Sequence, residues 1–267
     1  PPVATIDTNT TFLLTGRNFA NTIMLRVLVA QNATSEVWLE KEASWITTSA
    51  VRVVLSGAEI EPFLSGPLPQ TVRLQLKDLG WDRLDGVSVT FYPAITVSGH
   101  WPQQGSVRGN TSVVLTGGPF PELSSLFCRF DSWIHVPAQW INSTAVLCRS
   151  PPLHGELQGR TVTVEFSINR ATWQQFGNFT YLPWLFVDHV SPLLVPANAS
   201  TPITLVGRGF VPPATRCRFG LNAAAETVVP SFQNETMVVC NTPLSVPAGA
   251  ATLLLSTSGG IEWEPTS

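Results

Sequence analysis

Charged residues are scarce in this chain of 267 residues, since only 12% are Asp, Glu, Lys or Arg. The formal net charge is −3, only two lysines occur, and no cluster of basic residues is present. A protein that attracts nucleic acid or anionic lipid through its electrostatic field needs such a cluster. The composition therefore argues against both as partners.

Long apolar runs are also missing. No stretch reaches the roughly 18 apolar residues that predict a membrane-spanning helix, and the chain opens with Pro1-Pro2 in place of an initiator Met or a signal peptide. We expect no direct membrane insertion by this segment. We also expect the chain to be an excised or processed piece of a longer protein.

The motifs of common catalytic and cofactor sites do not occur. The stretch LTGRNF at 14–19 lacks the Gly-Lys-Ser/Thr of a phosphate loop and the further glycines of a dinucleotide site. His100, His135, His154 and His189 stand at unrelated positions, without a Gly-x-Ser-x-Gly or His-Glu-x-x-His motif. We predict no enzymatic activity and no cofactor.

A calcium loop is the strongest metal hypothesis, because Asp78, Asp82 and Asp85 fall within KDLGWDRLDG. An EF-hand loop needs acidic residues at alternating positions and a closing Glu, and this stretch has neither. We predict a solvated hairpin turn here and no metal site.

Turn-forming residues are plentiful, with 22 prolines and 19 glycines beside 44% hydrophobic residues. Such a composition predicts many short strands joined by turns. The element Leu-x-Gly-x-x-Phe occurs three times, around Gly16, Gly117 and Gly207. We interpret it as a turn marker in which glycine supplies φ freedom and Phe19 plugs the core.

Two further landmarks recur in the same order. WITTSAVRV at 45–53 matches WINSTAVLC at 140–148 and FQNETMVVC at 232–240, and an alternating two-strand pattern closes each copy around a tryptophan. Trp81, Trp173 and Trp263, at this closing position, are predicted to pack in the core or on a sheet face. The repeats are predicted as domains 1–92, 93–182 and 183–267, and prolines at both junctions favour stiff joints and an extended rod.

All four cysteines lie at equivalent places in the second and third repeats. Zinc sites usually draw their ligands from close pairs such as Cys-x-x-Cys, and no such pair occurs. We predict disulfides Cys128–Cys148 and Cys217–Cys240, which require an oxidising compartment.

Seven of the 12 asparagines fall in Asn-x-Ser/Thr sequons, more than chance would give. This excess agrees with the disulfides and predicts a glycosylated protein of the secretory pathway, extracellular or at the cell surface. The predicted glycosylation sites are Asn9, Asn32, Asn110, Asn142, Asn178, Asn198 and Asn234.

Taken in order, the Leu-x-Gly-x-x-Phe element, FCRF or RCRF, the strand ending in Cys-x-x-Pro and the closing tryptophan hairpin resemble tandem IPT/TIG domains. The resemblance is strongest in the second and third repeats, because the first lacks the cysteines and its leading strand is short or missing. It implies an all-β fold of three immunoglobulin-like sandwiches of the kind found in plexins, hepatocyte growth factor receptors and fibrocystin-like proteins. It also implies a non-catalytic extracellular role. The basic loops expected of DNA-binding family members are absent.

Four tryptophans fall outside the repeated positions: Trp38, Trp101, Trp133 and Trp184. The shared core pattern does not explain them, so they are candidates for contact with a protein partner, a second copy, a glycan or a neighbouring domain. Our first hypothesis is adhesion or ligand recognition by a membrane-anchored or secreted parent. The alternatives are a structural shaft or filament component and an accessory module of a carbohydrate-active enzyme.

Overall fold

The structure is a computed structural model that describes residues 3–7, 9–17, 26–30, 41–64, 66–78, 81–82, 87–153, 159–220, 225–246 and 248–266. Predicted landmarks outside the described residues are Phe19, Asn32, Trp38, Asp85 and His154. Within the described ranges, no helix combines the length and the apolar character that crossing a membrane requires.

Short strands make up nearly all of the regular structure. The first repeat contains β1 (Val3–Thr5), β2 (Thr10–Thr15), β3 (Arg26–Ala30), β4 (Lys41–Glu42), β5 (Ser44–Thr47), β6 (Ala50–Leu55), helix α1 (Gly57–Ile60), a 3-10 helix (Glu61–Phe63), β7 (Gln70–Asp78), β8 (Trp81–Asp82) and β9 (Val87–Tyr92). The second contains β10 (Thr96–Trp101), β11 (Gln104–Ser106), β12 (Ser112–Gly118), β13 (Phe127–Phe130), β14 (Ile134–Asn142), β15 (Ala145–Arg149), β16 (Thr161–Ser167) and β17 (Gln174–Leu182). The third contains β18 (Phe186–Ser191), β19 (Pro202–Arg208), β20 (Arg216–Phe219), β21 (Glu226–Val228), β22 (Phe232–Gln233), β23 (Met237–Asn241), β24 (Leu253–Ser256) and β25 (Glu264–Pro265).

The strands form facing sheets in each repeat. In the first, the order β1-β9-β7-β3-β4, with β8 on β7, faces the order β2-β6-β5. In the second, β10-β12-β15-β14 continues through the long strand β14 into β13-β16-β17-β11. In the third, β18-β19-β23-β22 faces β21-β20-β24-β25. The fold is therefore the all-β, immunoglobulin-like sandwich that the sequence predicts.

Alternating apolar residues explain how the sheets pack. In β15, Val146 and Cys148 are fully buried while their neighbours are not, as a strand with one face on a core requires. The described residues form three hydrophobic cores, one in each repeat. Val3 of the first repeat packs into the core of the second, so these two repeats share a contact surface.

The glycine of the Leu-x-Gly-x-x-Phe element is required for two reasons, φ freedom and close approach of a neighbouring strand. The sequence interpretation gave only the first. Gly117 has φ of +143°, as the interpretation expected, but Gly207 lies outside the left-handed region. A Cβ on Gly207 would stand 2.1 Å from the carbonyl oxygen of Phe186 on the neighbouring strand. Close approach of the backbones therefore selects glycine there. Phe120 and Phe210, the counterparts of Phe19, are buried.

Both cysteine pairs are bonded in the structure. Cys128 on β13 is joined to Cys148 on β15, and Cys217 on β20 to Cys240 on β23, with Cα separations of 6.2 and 6.4 Å. Each bond links the two sheets of its sandwich, and its sulfurs lie within the core. The first repeat has the fully buried Val53 at the position equivalent to Cys148.

Helix α1 is an element that the sequence analysis did not predict. Ser56 caps its first turn by accepting from the Glu59 N–H, while the Glu59 carboxylate accepts from the Ser56 N–H at 3.0 Å. The pattern Ser-x-x-Glu that encodes this reciprocal cap is visible in the sequence. A short helix is stable here because its end hydrogen bonds are satisfied and Ile60 is buried.

Candidate interaction surface

Trp133 is displayed at the tip of the hairpin between β13 and β14. Its side chain is 70% exposed. The indole Nε1–H donates to Asp131 Oδ2 at 3.2 Å, and the Arg160 guanidinium donates to the same oxygen. Asp131 and Ser132 both have φ near +60°, in the left-handed region. The turn and the hydrogen bonds thus hold an exposed aromatic ring in one orientation, which lowers the entropy lost on binding.

Trp184 lies at the junction of the second and third repeats and is 39% exposed. The Arg108 guanidinium lies 4.5 Å from the ring centroid, and its Nη1 is 3.9 Å from Glu264 Oε2. Beside this stack, the Ser106 N–H donates to Glu262 Oε2 at 3.2 Å. Trp184 therefore contacts the preceding repeat while part of its ring remains open to solvent.

A cleft of about 1080 Å³ opens between these two repeats. Trp184 and Phe186 line it together with Arg160, Arg208 and Glu235. The Arg208 guanidinium lies 5.0 Å from the centroid of the exposed Phe186 ring. Concave surfaces lined by aromatic rings and a few charged groups are typical of binding sites. Arg160 also connects this cleft to Trp133 through Asp131.

Trp101 occupies a different surface from Trp133 and Trp184. It stands on β10 opposite Val114 of β12, on the outer face of that sheet, and is 63% exposed. The structure therefore links Trp133, through Asp131 and Arg160, to the cleft that Trp184 lines, while Trp101 lies on another sheet face. Trp38 lies outside the described residues.

The repeated tryptophans of the second and third repeats pack against arginines. The side chain of Trp81, their counterpart in the first repeat, lies outside the part that the structure describes. The Trp173 ring contacts both the Arg129 guanidinium, at 4.3 Å, and the His135 ring, at 4.8 Å. Arg129 also makes a bidentate salt bridge to Glu165, with N–O distances of 2.5 and 2.6 Å. Trp263 lies 5.5 Å from the equivalent Arg218. These arrangements stabilise the sheet surface of the second and third repeats.

Every predicted glycosylation site among the described residues has an exposed side chain: Asn9, Asn110, Asn142, Asn178, Asn198 and Asn234. Asn142 and Asn234 use their Oδ1 atoms to accept backbone hydrogen bonds from Thr144 and Thr236 within tight turns. Attachment of a glycan uses the other amide atom, Nδ2. Glycosylation at all seven sites stays a prediction.

The three histidines that the structure describes, His100, His135 and His189, do not form a common site. His100 Nε2 lies 3.0 Å from the Asn178 carbonyl oxygen, and its ring packs edge-on against Phe176. Burial lowers the pKa of His100, and the contact with the Asn178 carbonyl opposes part of that shift. His189 lies on β18 with an exposed side chain. Across the described ranges, no group of three or more His, Cys, Asp or Glu residues is placed to hold a metal ion.

Phe186 and Arg208 are cleft residues that the sequence analysis missed. They form a cross-strand pair of β18 and β19. Phe186 follows Trp184 by two residues, in PWLF, a spacing that places both aromatic side chains on one side of an extended segment. That spacing could have indicated a shared aromatic surface.

Comparison with known proteins identifies the family. The model of the IPT/TIG domain matches residues 96–181 and 185–262, which together exceed half of the chain. Fibrocystin-L of Mus musculus is 25% identical over 164 residues, which is 61% of this chain and 4% of that protein. The chain therefore spans only a small fraction of this relative.

Several solved structures align with nearly the whole chain. The full extracellular region of plexin A4 shares 14% identity over 97% of this chain and 22% of that one, with a TM-score of 0.40. Bacteroides ovatus SGBP-B of a mixed-linkage glucan utilization locus, in complex with a mixed-linkage heptasaccharide, shares 10% identity over 99% of this chain and 61% of that one, with a TM-score of 0.29. The assignment of residues 1–92 to the same family stays a prediction, because the family matches begin at residue 96. Through the matches at 96–181 and 185–262, the chain belongs to the IPT/TIG domain family of immunoglobulin-like sandwiches.

Proposed function

We propose that this chain is a non-enzymatic, extracellular segment of a larger secreted or cell-surface glycoprotein. In this proposal it acts in adhesion or ligand recognition through rigid tandem domains. Two buried disulfides support an oxidising compartment, since such bonds persist in secreted proteins and are rare in the cytosol. The exposed sequons are consistent with passage through the secretory pathway.

The proposed domains are 1–92, 93–182 and 183–267, with the first as a third sandwich of the same type. The sheet order β2-β6-β5 in the first repeat parallels β12-β15-β14 and β19-β23-β22 in the others. The Ile6 N–H donates to the Tyr92 carbonyl as the Val107 N–H donates to that of Leu182. These equivalences support one architecture in all three repeats.

The observation that carries the recognition role is the connected surface formed by Trp133, Asp131, Arg160, Trp184 and Phe186. Aromatic rings and arginine are enriched in the central residues of protein interfaces. Trp133 is exposed and yet held by a hydrogen bond to Asp131, as a preorganised anchor would be. We therefore assign this surface, at the junction of the second and third repeats, to a protein partner.

Binding of the secreted chain to cultured cells tests this assignment. The chain, produced by mammalian cells as an antibody Fc fusion, is titrated on a panel of cell lines and its binding measured by flow cytometry. Trp133→Ala should weaken binding at least about tenfold, the usual effect of losing an anchoring residue. Leu194→Ala serves as the control, because Leu194 is exposed but does not line this cleft. Equal binding by both variants and the unaltered chain would contradict the assignment.

Mass photometry and a glycan array test the alternatives. A filament or shaft component should form larger species as its concentration rises, and a constant monomer mass would count against that role. An accessory carbohydrate-binding module should retain at least one glycan on the array.

A further inference from the structure

Two hairpin turns of this chain carry the same five-residue pattern, an aromatic residue, any residue, Asn, any residue and Thr, which also occurs inside strand β17 at Phe176–Thr180. The pattern spans Trp140–Thr144 at the turn between β14 and β15, and Phe232–Thr236 at the turn between β22 and β23. Asn142 Oδ1 accepts from the Thr144 N–H at 2.8 Å, and Asn234 Oδ1 from the Thr236 N–H at 2.9 Å. The two asparagines are thus fixed in equivalent turns by the same hydrogen bond.

A β-bulge turns the aromatic residue of the first pattern inward. The pairing of β14 with β15 shifts between Trp140 and Asn142, and Trp140 stands opposite the fully buried Val146. The Trp140 ring packs against the core of the second repeat, and its Nε1–H donates to the Phe120 carbonyl at 3.0 Å. Its ring is therefore not available to a group attached at Asn142.

The third repeat has the opposite arrangement. Gln233 stands opposite the fully buried Val238, and Phe232 opposite Val239 on the outer face. The Asn234 N–H donates to the Met237 carbonyl, which keeps the regular pairing up to the turn. Because the pairing continues to Asn234, the residue after β22, the Cβ atoms of Phe232 and Asn234 lie on the same side of the chain, about 7 Å apart along it. The Oδ1 atom of Asn234 also accepts from the Met237 N–H at 2.7 Å.

The surface around Phe232 is apolar. Phe232 is 47% exposed, and Val206 on β19, which is opposite Met237, is 40% exposed. Val239 lies between Phe232 and Thr204 on the same face. Apolar side chains gathered on an open sheet face usually mark a surface that another group covers. Asn234 stands beside this face, so a group attached to it would have Phe232 within its reach.

We propose that an N-glycan on Asn234 covers this face, with its first sugar stacked on the Phe232 ring. The proposal rests on the secretory glycoprotein assigned above, and it distinguishes Asn234 from Asn142, whose glycan would extend into solvent. In the attachment step a bond forms from Asn234 Nδ2 to C1 of the sugar. The bond from C1 to the pyrophosphate of a lipid-linked donor breaks, and Nδ2 loses a proton. The apolar C–H face of a sugar then removes aromatic surface from water.

Removal of the glycans by peptide N-glycosidase tests the proposal on the full chain secreted by mammalian cells. The enzyme converts each glycosylated Asn to Asp, which keeps an oxygen acceptor for the turn and adds the same charge in both hairpins. Hydrogen–deuterium exchange by mass spectrometry then compares peptides covering β22–β23 with those covering β14–β15. Exchange in β22–β23 should rise about fivefold, as expected for the loss of a modest aromatic contact, while β14–β15 should change less than about twofold.

The variant Phe232→Ser provides the decisive comparison. In this variant the same treatment should leave exchange in β22–β23 nearly unchanged, because the ring that the sugar covers is gone. An equal change in both hairpins, or a fivefold rise that persists in Phe232→Ser, would overturn the proposal.

Mass spectrometry of the untreated chain separates this inference from the proposed function. An unmodified Asn234 beside glycans at other sequons would overturn the inference and leave the secretory assignment standing. A secreted chain without any glycan would contradict both.

Discussion

Tyr181 shows how a buried hydroxyl group finds a hydrogen-bond partner in the second repeat. Its side chain is almost fully buried, and its hydroxyl donates to the Pro151 carbonyl oxygen at 2.8 Å. The ring packs edge-on against Phe179 with centroids 5.0 Å apart. Burial raises the pKa of Tyr181 above its ordinary value, while the positive charge of Arg160 opposes part of the shift. The neutral phenol is therefore the form that the fold stabilises.

Tyr181→Phe should lower the free energy of unfolding by about 1 to 2 kcal/mol at pH 8, because the Pro151 carbonyl loses its buried partner. A tyrosine in the unfolded chain ionises near its ordinary pKa of about 10, while the folded one stays neutral. The stabilisation is thus complete below pH 10 and declines as the pH rises above it. Urea unfolding at pH 8 and pH 11 measures the difference in unfolding free energy between the unaltered chain and Tyr181→Phe. A difference between the two proteins that is as large at pH 11 would contradict the explanation.

At the scale of the strands, the repeats differ in the disulfide between the two sheets. The second and third repeats have this bond, and the first has Val53 at the position of the second cysteine. The Cys217–Cys240 bond joins strands of opposite sheets and closes a separation of 23 residues. The first repeat has buried Val53 at the second cysteine position, so an apolar residue can fill that space.

Replacing both Cys217 and Cys240 with Val should lower the free energy of unfolding of the third repeat by about 3 kcal/mol, the value expected when a loop of this length is no longer closed in the unfolded chain. The second repeat keeps its own disulfide and serves as the internal reference. Scanning calorimetry of the full chain should show one transition shifted downward by about 10 °C or more. An unshifted transition would mean that packing alone fixes the third repeat.

The elements that could be predicted from the sequence are those set by local patterns. Alternation identified the strands around Cys148 and Cys240, and equivalent positions in two repeats identified the disulfide partners. The bulge between Trp140 and Asn142 could not be predicted, because the matching pattern at Phe232 pairs without it. Such a register difference depends on how each hairpin fits its own sandwich.

The candidate cleft was only partly predictable for a related reason. Trp133 and Trp184 could be singled out because they do not recur in the other repeats. Their connection through Asp131 and Arg160 depends on contacts between segments about 29 residues apart in the chain, which no local pattern encodes. Phe186 was missed because its exposure follows from the orientation of β18 at the junction.

At the scale of the whole molecule, the two junctions use equivalent elements. The turn between β16 and β17 contacts the first repeat, where Asn169 Nδ2 donates to the Val3 carbonyl oxygen at 3.0 Å. The turn between β24 and β25 contacts the second repeat, where Glu262 accepts from the Ser106 N–H. In both cases the closing hairpin of one repeat meets the short parallel strand of the preceding one, β1 or β11. This recurrence favours the predicted stiff joints, and the extended rod stays a prediction.

The stack of Arg108 on Trp184 should be the contact that limits motion between the second and third repeats. Its ion pair with Glu264 contributes little, since half of the Arg108 side chain is exposed and salt screens the charges. The cation–π contact with Trp184, at 4.5 Å, should contribute more, about 0.5 to 1 kcal/mol, and should resist salt.

Residual dipolar couplings of the isotope-labelled full chain test this contact, because they give an alignment tensor for each repeat. In Arg108→Ala we expect the alignment tensors of the second and third repeats to diverge. They should coincide in the unaltered chain and in the control Arg149→Ala, whose guanidinium donates to Asn110 and Ser112 of its own repeat. Coincident tensors in Arg108→Ala would instead place the stiffness in the backbone around Leu182-Pro183, where proline restricts rotation.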